Sequence, residues 1–156
     1  MEKKIIEIYT DGSSLGNPGP GGWGTVITLD GKVFHELGGC EKHTTNNRME
    51  LMAVIEALKY INQEHQNGDI IIHADSAYVL GGVGGWIANW EKNGWRTANR
   101  KEVMNQDLWK ELKALITIFE GNLKWQKVKG HSGHVHNDRA DEIATSCSTL
   151  QKKHVI

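Results

Sequence analysis

Asp30 and Gly31 stand between two short apolar runs, residues 26–29 and 33–37. Asp-Gly suits a two-residue hairpin turn with positive φ at both positions, so the flanking runs are expected to pair antiparallel. Upstream, residues 5–10 are rich in β-branched and aromatic side chains and close on Asp11. Both prolines of the chain and six glycines then fall between Gly12 and Gly24. That pattern reads as a strand followed by an extended turn. The first 37 residues thus predict three antiparallel strands.

The periodicity then changes. Leu51, Val54, Ile55, Leu58 and Ile61 recur on one face of a helix, with Asn47 and Glu50 spaced as a capping pair at its start. Residues 70–72 form a continuous apolar run ending near Asp75, as an interior strand buried on both faces does. Helical sequence follows from Ser76 to about Phe119, interrupted by Gly81, Gly82, Gly84, Gly85 and Gly94; residues 123–128 read as a fifth strand, and Ala140, Ile143, Ala144 and Cys147 mark a last helix. The predicted fold class is α/β: a mixed five-stranded sheet, three antiparallel strands then two parallel, with helices packed on it. At 156 residues the chain suits one domain, residues 1–150, with 151–156 as a short polar tail.

No run of apolar residues is long enough to span a membrane, and the charged start lacks an apolar signal core, so a soluble cytoplasmic protein is expected. The two cysteines form no disulfide framework or zinc spacing, and reduced thiols are expected. A net charge of −1 argues against coating nucleic acid by bulk electrostatics, but charge can be segregated. Between Trp90 and Lys113, six basic residues stand against four acidic ones.

Four acids fall at informative places. Asp11 and Asp75 each close an apolar strand immediately before turn residues, and ligands of open α/β sheets gather beyond strand ends. Glu50 and Asp141 each lie beside the apolar stripe of a helix. With the two strands adjacent and both helices on one side of the sheet, the four carboxylates would converge. Converging carboxylates raise one another's pKa and call for a cation. Oxygen-only ligands select Mg²⁺ or Mn²⁺ over zinc. Two such ions about 4 Å apart would activate a water and stabilise a leaving oxygen in phosphodiester hydrolysis. Singly, each acid has an ordinary structural explanation as a turn former, a cap or a dipole partner.

The blocks around these acids tie them together. Thr10-Asp11-Gly12-Ser13 with the run from Gly16 to Gly22, the block from Thr44 to Leu51, Asp75-Ser76-x-Tyr78-Val79, and the block from Val128 to His134 followed by Asp141-Glu142 come in order along the chain. From about Ile6 to Ala144 the sequence resembles the bacterial type 1 ribonuclease H family. The resemblance implies a ribonuclease H-like fold with helices on both faces of the sheet, and an endonuclease that hydrolyses the RNA strand of RNA–DNA hybrids. It implies that Asp11, Glu50, Asp75 and Asp141 hold two Mg²⁺ ions, with Mn²⁺ as a substitute, and that products carry a 5′-phosphate and a 3′-hydroxyl. It further implies that His131, on a loop, assists proton transfer or product departure, a task imidazole suits near neutral pH. The competing reading, a zinc site from His131, His134 and His136, lacks a nearby cysteine. Asp138 could be mistaken for the fourth acid, and the Asp-Glu pair favours Asp141.

For substrate contact, the resemblance implies that Gly12, Ser13, Ser14, Asn17 and Asn47 approach the RNA strand. It implies too that Thr45 and Asn46 take a phosphate of the DNA strand, and a helix start with hydroxyl and amide donors is a natural anion site. Trp86, Trp90, Trp95 and Trp109 fall in a segment resembling the family's basic handle. Trp86 and Trp109 are expected in the core, and Trp90, Lys92, Arg96 and Lys101 against the DNA strand. Ala77 replaces a Gln common among bacterial relatives, and Glu91, Asn93, Asn99 and Glu102 thin the handle's charge. The four glycines before Trp86 would each cost about 1 kcal/mol in a helix, predicting a hinge or break. The chain is expected to act as a monomer. Alternatives are a DNA-cutting nuclease on the same fold and a non-catalytic hybrid-binding module; the block at 45–47 and the four acids speak against them.

Overall fold

The computed structural model describes residues 5–64, 68–128 and 134–154, the side chains of 147–154 excepted. The chain runs β1 (Ile6–Ser14), β2 (Gly19–Leu29), β3 (Lys32–Thr44), α1 (Asn46–Gln63), β4 (Gly68–Ala74), α2 (Ala77–Gly81), a π-helical turn (Gly82–Trp86), α3 (Ile87–Lys92), α4 (Gln106–Ile118), β5 (Gly121–Lys127) and α5 (Val135–His154). The strands form one sheet in the order β3-β2-β1-β4-β5. The first three pair antiparallel, and β1–β4 and β4–β5 are parallel, as the change of periodicity predicts.

The hairpin turn is as expected: Asp30 and Gly31 have φ of 49° and 84°. The extended turn is not. Glycines from Gly19 onward belong to β2, and β1 continues three residues beyond Asp11 by pairing Gly12, Ser13 and Ser14 with Trp23, Gly22 and Gly21. Only residues 15–18 lie between the two strands, because most of these glycines serve close packing. A Cβ at Gly21, for example, would stand 2.7 Å from the Ser13 carbonyl oxygen.

Alternation along the strands separates two faces. Ile6, Ile8, Ile27, Ile70 and Ile72 pack with Leu51, Val54, Ile55 and Leu58 of α1 and with Leu108, Trp109 and Leu112 of α4. Each such aliphatic side chain removed from water contributes about 1.5–3 kcal/mol. On the opposite face Tyr9 and Val26 pack against Ala140 and Ile143 of α5. Residues 151–154, expected as a polar tail, continue α5.

The glycine-rich segment does break the helix: the π-helical turn contains Gly85 with φ 173° and ψ −32°. Gly81 and Gly82 have packing reasons, since a Cβ would strike the indoles of Trp86 and Trp109 respectively. Trp109 is buried as expected, but Trp86 is 43% exposed. Helical spacing told that Trp86 and Trp90 are neighbours, not which way they face. Cys40 is disulfide-bonded, against the expectation of reduced thiols; two cysteines far apart in sequence leave no local pattern to read. Among the described residues no helix is long and apolar enough to cross a membrane.

Candidate active site

Register brings two of the acids together. Thr10 and Ala74 are paired neighbours on parallel β1 and β4, so the next residues, Asp11 and the exposed Asp75, leave the ladder side by side. Asp75 follows its strand as expected, whereas Asp11 lies within β1 and not at its end. The start of α1 is capped by Thr45, whose hydroxyl accepts from the Arg48 N–H at 3.2 Å. The capping pair expected from Asn47 and Glu50 is therefore displaced, and the Glu50 carboxylate is released for the site.

Glu50 and Asp141 arrive from opposite faces, not from one side as the sequence reading supposed, because α1 and α5 sandwich the sheet. Two glycines permit this. A Cβ on Gly12 would strike the backbone of Met49 and Glu50, and one on Gly24 would strike the carbonyl of Ala140 and stand 2.8 Å from Cβ of Ile143. Both helices thus approach the sheet beside Asp11, one on each face.

One ligand oxygen from each of Asp11, Glu50 and Asp75 lies within 4.8 Å of the others, the cluster with metal-ligand spacing among the described residues. Asp141 stands outside that trio, yet its side chain is hydrogen-bonded to Asp11. Asp11 is accordingly pushed up to about 7, first by burial, then by the bond to Asp141 and the negative charges of Asp75 and Asp141. Glu50 is raised well above the usual carboxylate range, chiefly by burial and then by the charges of Asp11 and Asp75. Its Oε2 is sealed from solvent without a hydrogen-bond partner among the described residues. An orphaned buried carboxylate oxygen is costly unless something positive meets it. The donor set is all oxygen, so the residues present fit a hard divalent cation, and a nearby water or phosphate oxygen could share it.

Beside the acids lies a polar rim. Ser14 Oγ is 2.6 Å from the Gly16 carbonyl oxygen and 3.0 Å from Asn46 Oδ1, and the Asn46 N–H donates to Asn17 Oδ1 at 3.2 Å. These bonds bring Ser14, Asn17 and Asn46 together; Asn47, next in α1, is exposed. Gly12 and Ser13 continue the same strand and are partly exposed. Lys92, at the end of α3, and Arg96 and Lys101, on the segment between α3 and α4, are exposed. Trp90 is half-buried, its ring centroid 5.4 Å from Trp109 and 6.1 Å from both Trp86 and Trp95. His131 lies outside the described residues. His134 and His136 both contact the ring of Tyr9 and join no metal cluster among the described residues.

Sequence reasoning missed three residues at the junction of α1, α2 and α4: Arg48, Tyr78 and Asn105, joined by side-chain hydrogen bonds. Tyr78 sits in a block already noted around Asp75, but its partners lie 27 and 31 residues further on, and no local pattern announces them.

Residues 3–149 match the family described as RNase H. The chain is 50% identical over 143 residues to a ribonuclease H of Francisella philomiragia, covering 92% of this chain and 90% of that one. It is 52% identical over 147 residues to one from Thermosynechococcus vestitus, covering 94% and 91%. Among solved structures it resembles LC9-RNase H1, a type 1 RNase H with the type 2 active-site motif, with a TM-score of 0.80 at 30% identity over 97% of this chain and 75% of that one. It also resembles LC11-RNase H1 in complex with an RNA/DNA hybrid, with a TM-score of 0.69 at 26% identity over 93% and 97%.

Proposed function

From the premise that this chain belongs to the ribonuclease H family, we propose that the carboxylates gathered around Asp11 are its catalytic centre. The protein is a metal-dependent endonuclease that cuts the RNA strand of RNA–DNA hybrids. The observation that carries the site is the buried, unpartnered Glu50 Oε2 within a three-carboxylate cluster.

Asp11, Glu50 and Asp75 would hold the metal, with Asp141 completing the set from α5. When bound, divalent ions supply an activated water and charge stabilisation for the leaving oxygen. We take the ions to be two Mg²⁺, with Mn²⁺ as a substitute, because every ligand is a carboxylate oxygen. The chain's own work is to fix these oxygens on strands and helix backbones, so that little reorganisation is needed when phosphate arrives. Release of the 3′ oxygen leaves a 5′-phosphate on one product and a 3′-hydroxyl on the other. His131, four residues after β5 ends, is assigned a proton-transfer or product-release role.

For substrate, Gly12, Ser13, Ser14, Asn17 and Asn47 are assigned to the RNA strand, where 2′-hydroxyl contact distinguishes RNA from DNA. Thr45 and Asn46 at the start of α1 are assigned to a phosphate of the DNA strand. Trp90, Lys92, Arg96 and Lys101 are assigned to the same strand further along. We further propose that residues 1–150 form one domain acting as a cytoplasmic monomer.

The test is cleavage of an end-labelled RNA strand presented as hybrid, as double-stranded RNA and as single strand, with Mg²⁺ or with chelator. Cutting of the hybrid alone, dependent on metal, is the expected result. Hybrid binding without cutting in either Mg²⁺ or Mn²⁺ would sink the catalytic assignment.

A further inference from the structure

Tyr78 stands three residues after Asp75, in α2. Two N–H groups point at its hydroxyl, Asn105 Nδ2 and Trp109 Nε1, each at 3.0 Å, and the hydroxyl itself lies 3.4 Å from the Met104 carbonyl oxygen. Trp109 is fully buried and its indole nitrogen is a donor only, so this hydroxyl meets a group that water cannot reach. Asn105 takes φ 59°, a conformation that asparagine tolerates better than most residues. Although it precedes α4 directly, its side chain does not cap that helix.

The amide is committed elsewhere, because its Oδ1 accepts from Arg48 Nη1 at 3.2 Å. Arg48 in turn grips both carboxylate oxygens of Asp107 at 3.0 and 2.8 Å, and its backbone N–H is the one that caps onto Thr45. The chain of contacts Asp107–Arg48–Asn105–Tyr78–Trp109 is therefore unbroken and joins α1, α2 and α4. Met104 and Asn105 are where the segment carrying Arg96 and Lys101 returns to the body of the protein.

We propose that Tyr78 is a positioning residue for hybrid binding. Its hydroxyl pins Asn105, and with it the returning handle, against the start of α1, so that Thr45–Asn47 and the handle meet the duplex as one preformed surface. Preorganising that surface lowers the ordering cost of association and acts on affinity more than on the chemical step. The inference rests on the reading that these two segments touch the hybrid.

Tyr78→Phe removes the one oxygen and keeps the ring. The expected result is a KM for hybrid raised about fivefold, the effect of losing a typical hydrogen bond, with kcat at saturating hybrid changed less than about twofold. The dissociation constant for hybrid, measured by fluorescence anisotropy in chelator, should rise in parallel. Asn105→Gly is a second variant, since glycine takes the observed φ without strain and cuts the same link. Because both variants break one connection, their effects on KM in the double variant should be less than multiplicative. A lowered melting temperature with KM and the dissociation constant unchanged in both variants, or fully multiplicative effects, would overturn the proposal. Thr45→Ala measured alongside separates the two claims. A raised KM in Thr45→Ala alone refutes the positioning role and keeps the binding surface, while no change in any variant refutes both.

Discussion

Asp11 stands directly opposite Gly24 in the β1–β2 ladder, and the side of Gly24 that lacks a Cβ is the side on which α5 rests. The position of Asp141 thus depends on an atom that is absent from the neighbouring strand. Gly24→Ala would push against the carbonyl of Ala140, which is backbone and has no rotamer to yield. Overpacking of this kind costs about 1–3 kcal/mol. A displacement of α5 near 1 Å would also lower turnover on the order of 100-fold. Thermal melts and cleavage rates check both, and a variant with parental turnover would show that α5 adjusts without moving Asp141.

The metal-free site should make stability fall as pH rises. An unfolded Asp loses its proton near pH 4, roughly, whereas Asp11 in the folded protein holds its proton up to about 7. Across that interval the folded state binds more protons than the unfolded one, so its stability is fullest below the lower value and is lost toward the upper. Glu50, shifted in the same direction, adds to the loss. Asp11→Asn cannot ionise, so in chelator it should melt higher than the parent at about pH 8, with the margin shrinking toward about pH 4. It should also lose turnover and gain less stability from added Mg²⁺. A melting difference independent of pH would remove Asp11 as the source.

Arg100 adopts φ 63° in the loop between α3 and α4. Its backbone N–H donates to the Thr97 carbonyl and its own carbonyl accepts from Arg96, so both bonds survive loss of the side chain. Arg100→Gly relieves the left-handed strain and should stabilise the protein by about 1 kcal/mol, less the entropy glycine adds to the unfolded chain. Denaturant melts read the change, and a lower midpoint would mean that the arginine side chain contributes more than its backbone costs.

Lys92, Arg96 and Lys101 are exposed, and each is assigned to a phosphate of the DNA strand. Lys101→Ala should weaken hybrid binding about equally for all sequences and make the slope of log affinity against log salt shallower by about 1. The same holds for Lys92→Ala. An unchanged slope in both would place these lysines outside the duplex footprint.

Local chemistry made much of the fold readable: Asp30-Gly31 fixed a hairpin, and the spacing of Leu51, Val54, Ile55 and Leu58 fixed the buried face of α1. The same local reading erred wherever a residue's reason lay far away in sequence. Gly21 and Gly24 look like turn residues, but they are strand residues cleared for Thr44 and α5. Trp86 and Trp109 both look like core, yet only the second is enclosed, because burial depends on what packs above the ring. The acids were legible as a family pattern, and their arrival from two faces was not, since nothing within α5 says which side of the sheet it covers. Tyr78 is a similar case, its hydroxyl defined by partners on a later helix.

β1 is the third of five strands, hydrogen-bonded on both sides. Amides in such a strand exchange with solvent only when the whole domain opens, whereas helix ends and loops open at much lower free energy. The slowest hydrogen exchange in the molecule should therefore be found along the strand that carries Asp11. That carboxylate keeps its place through every partial opening of the handle or the helix termini, and is given up last.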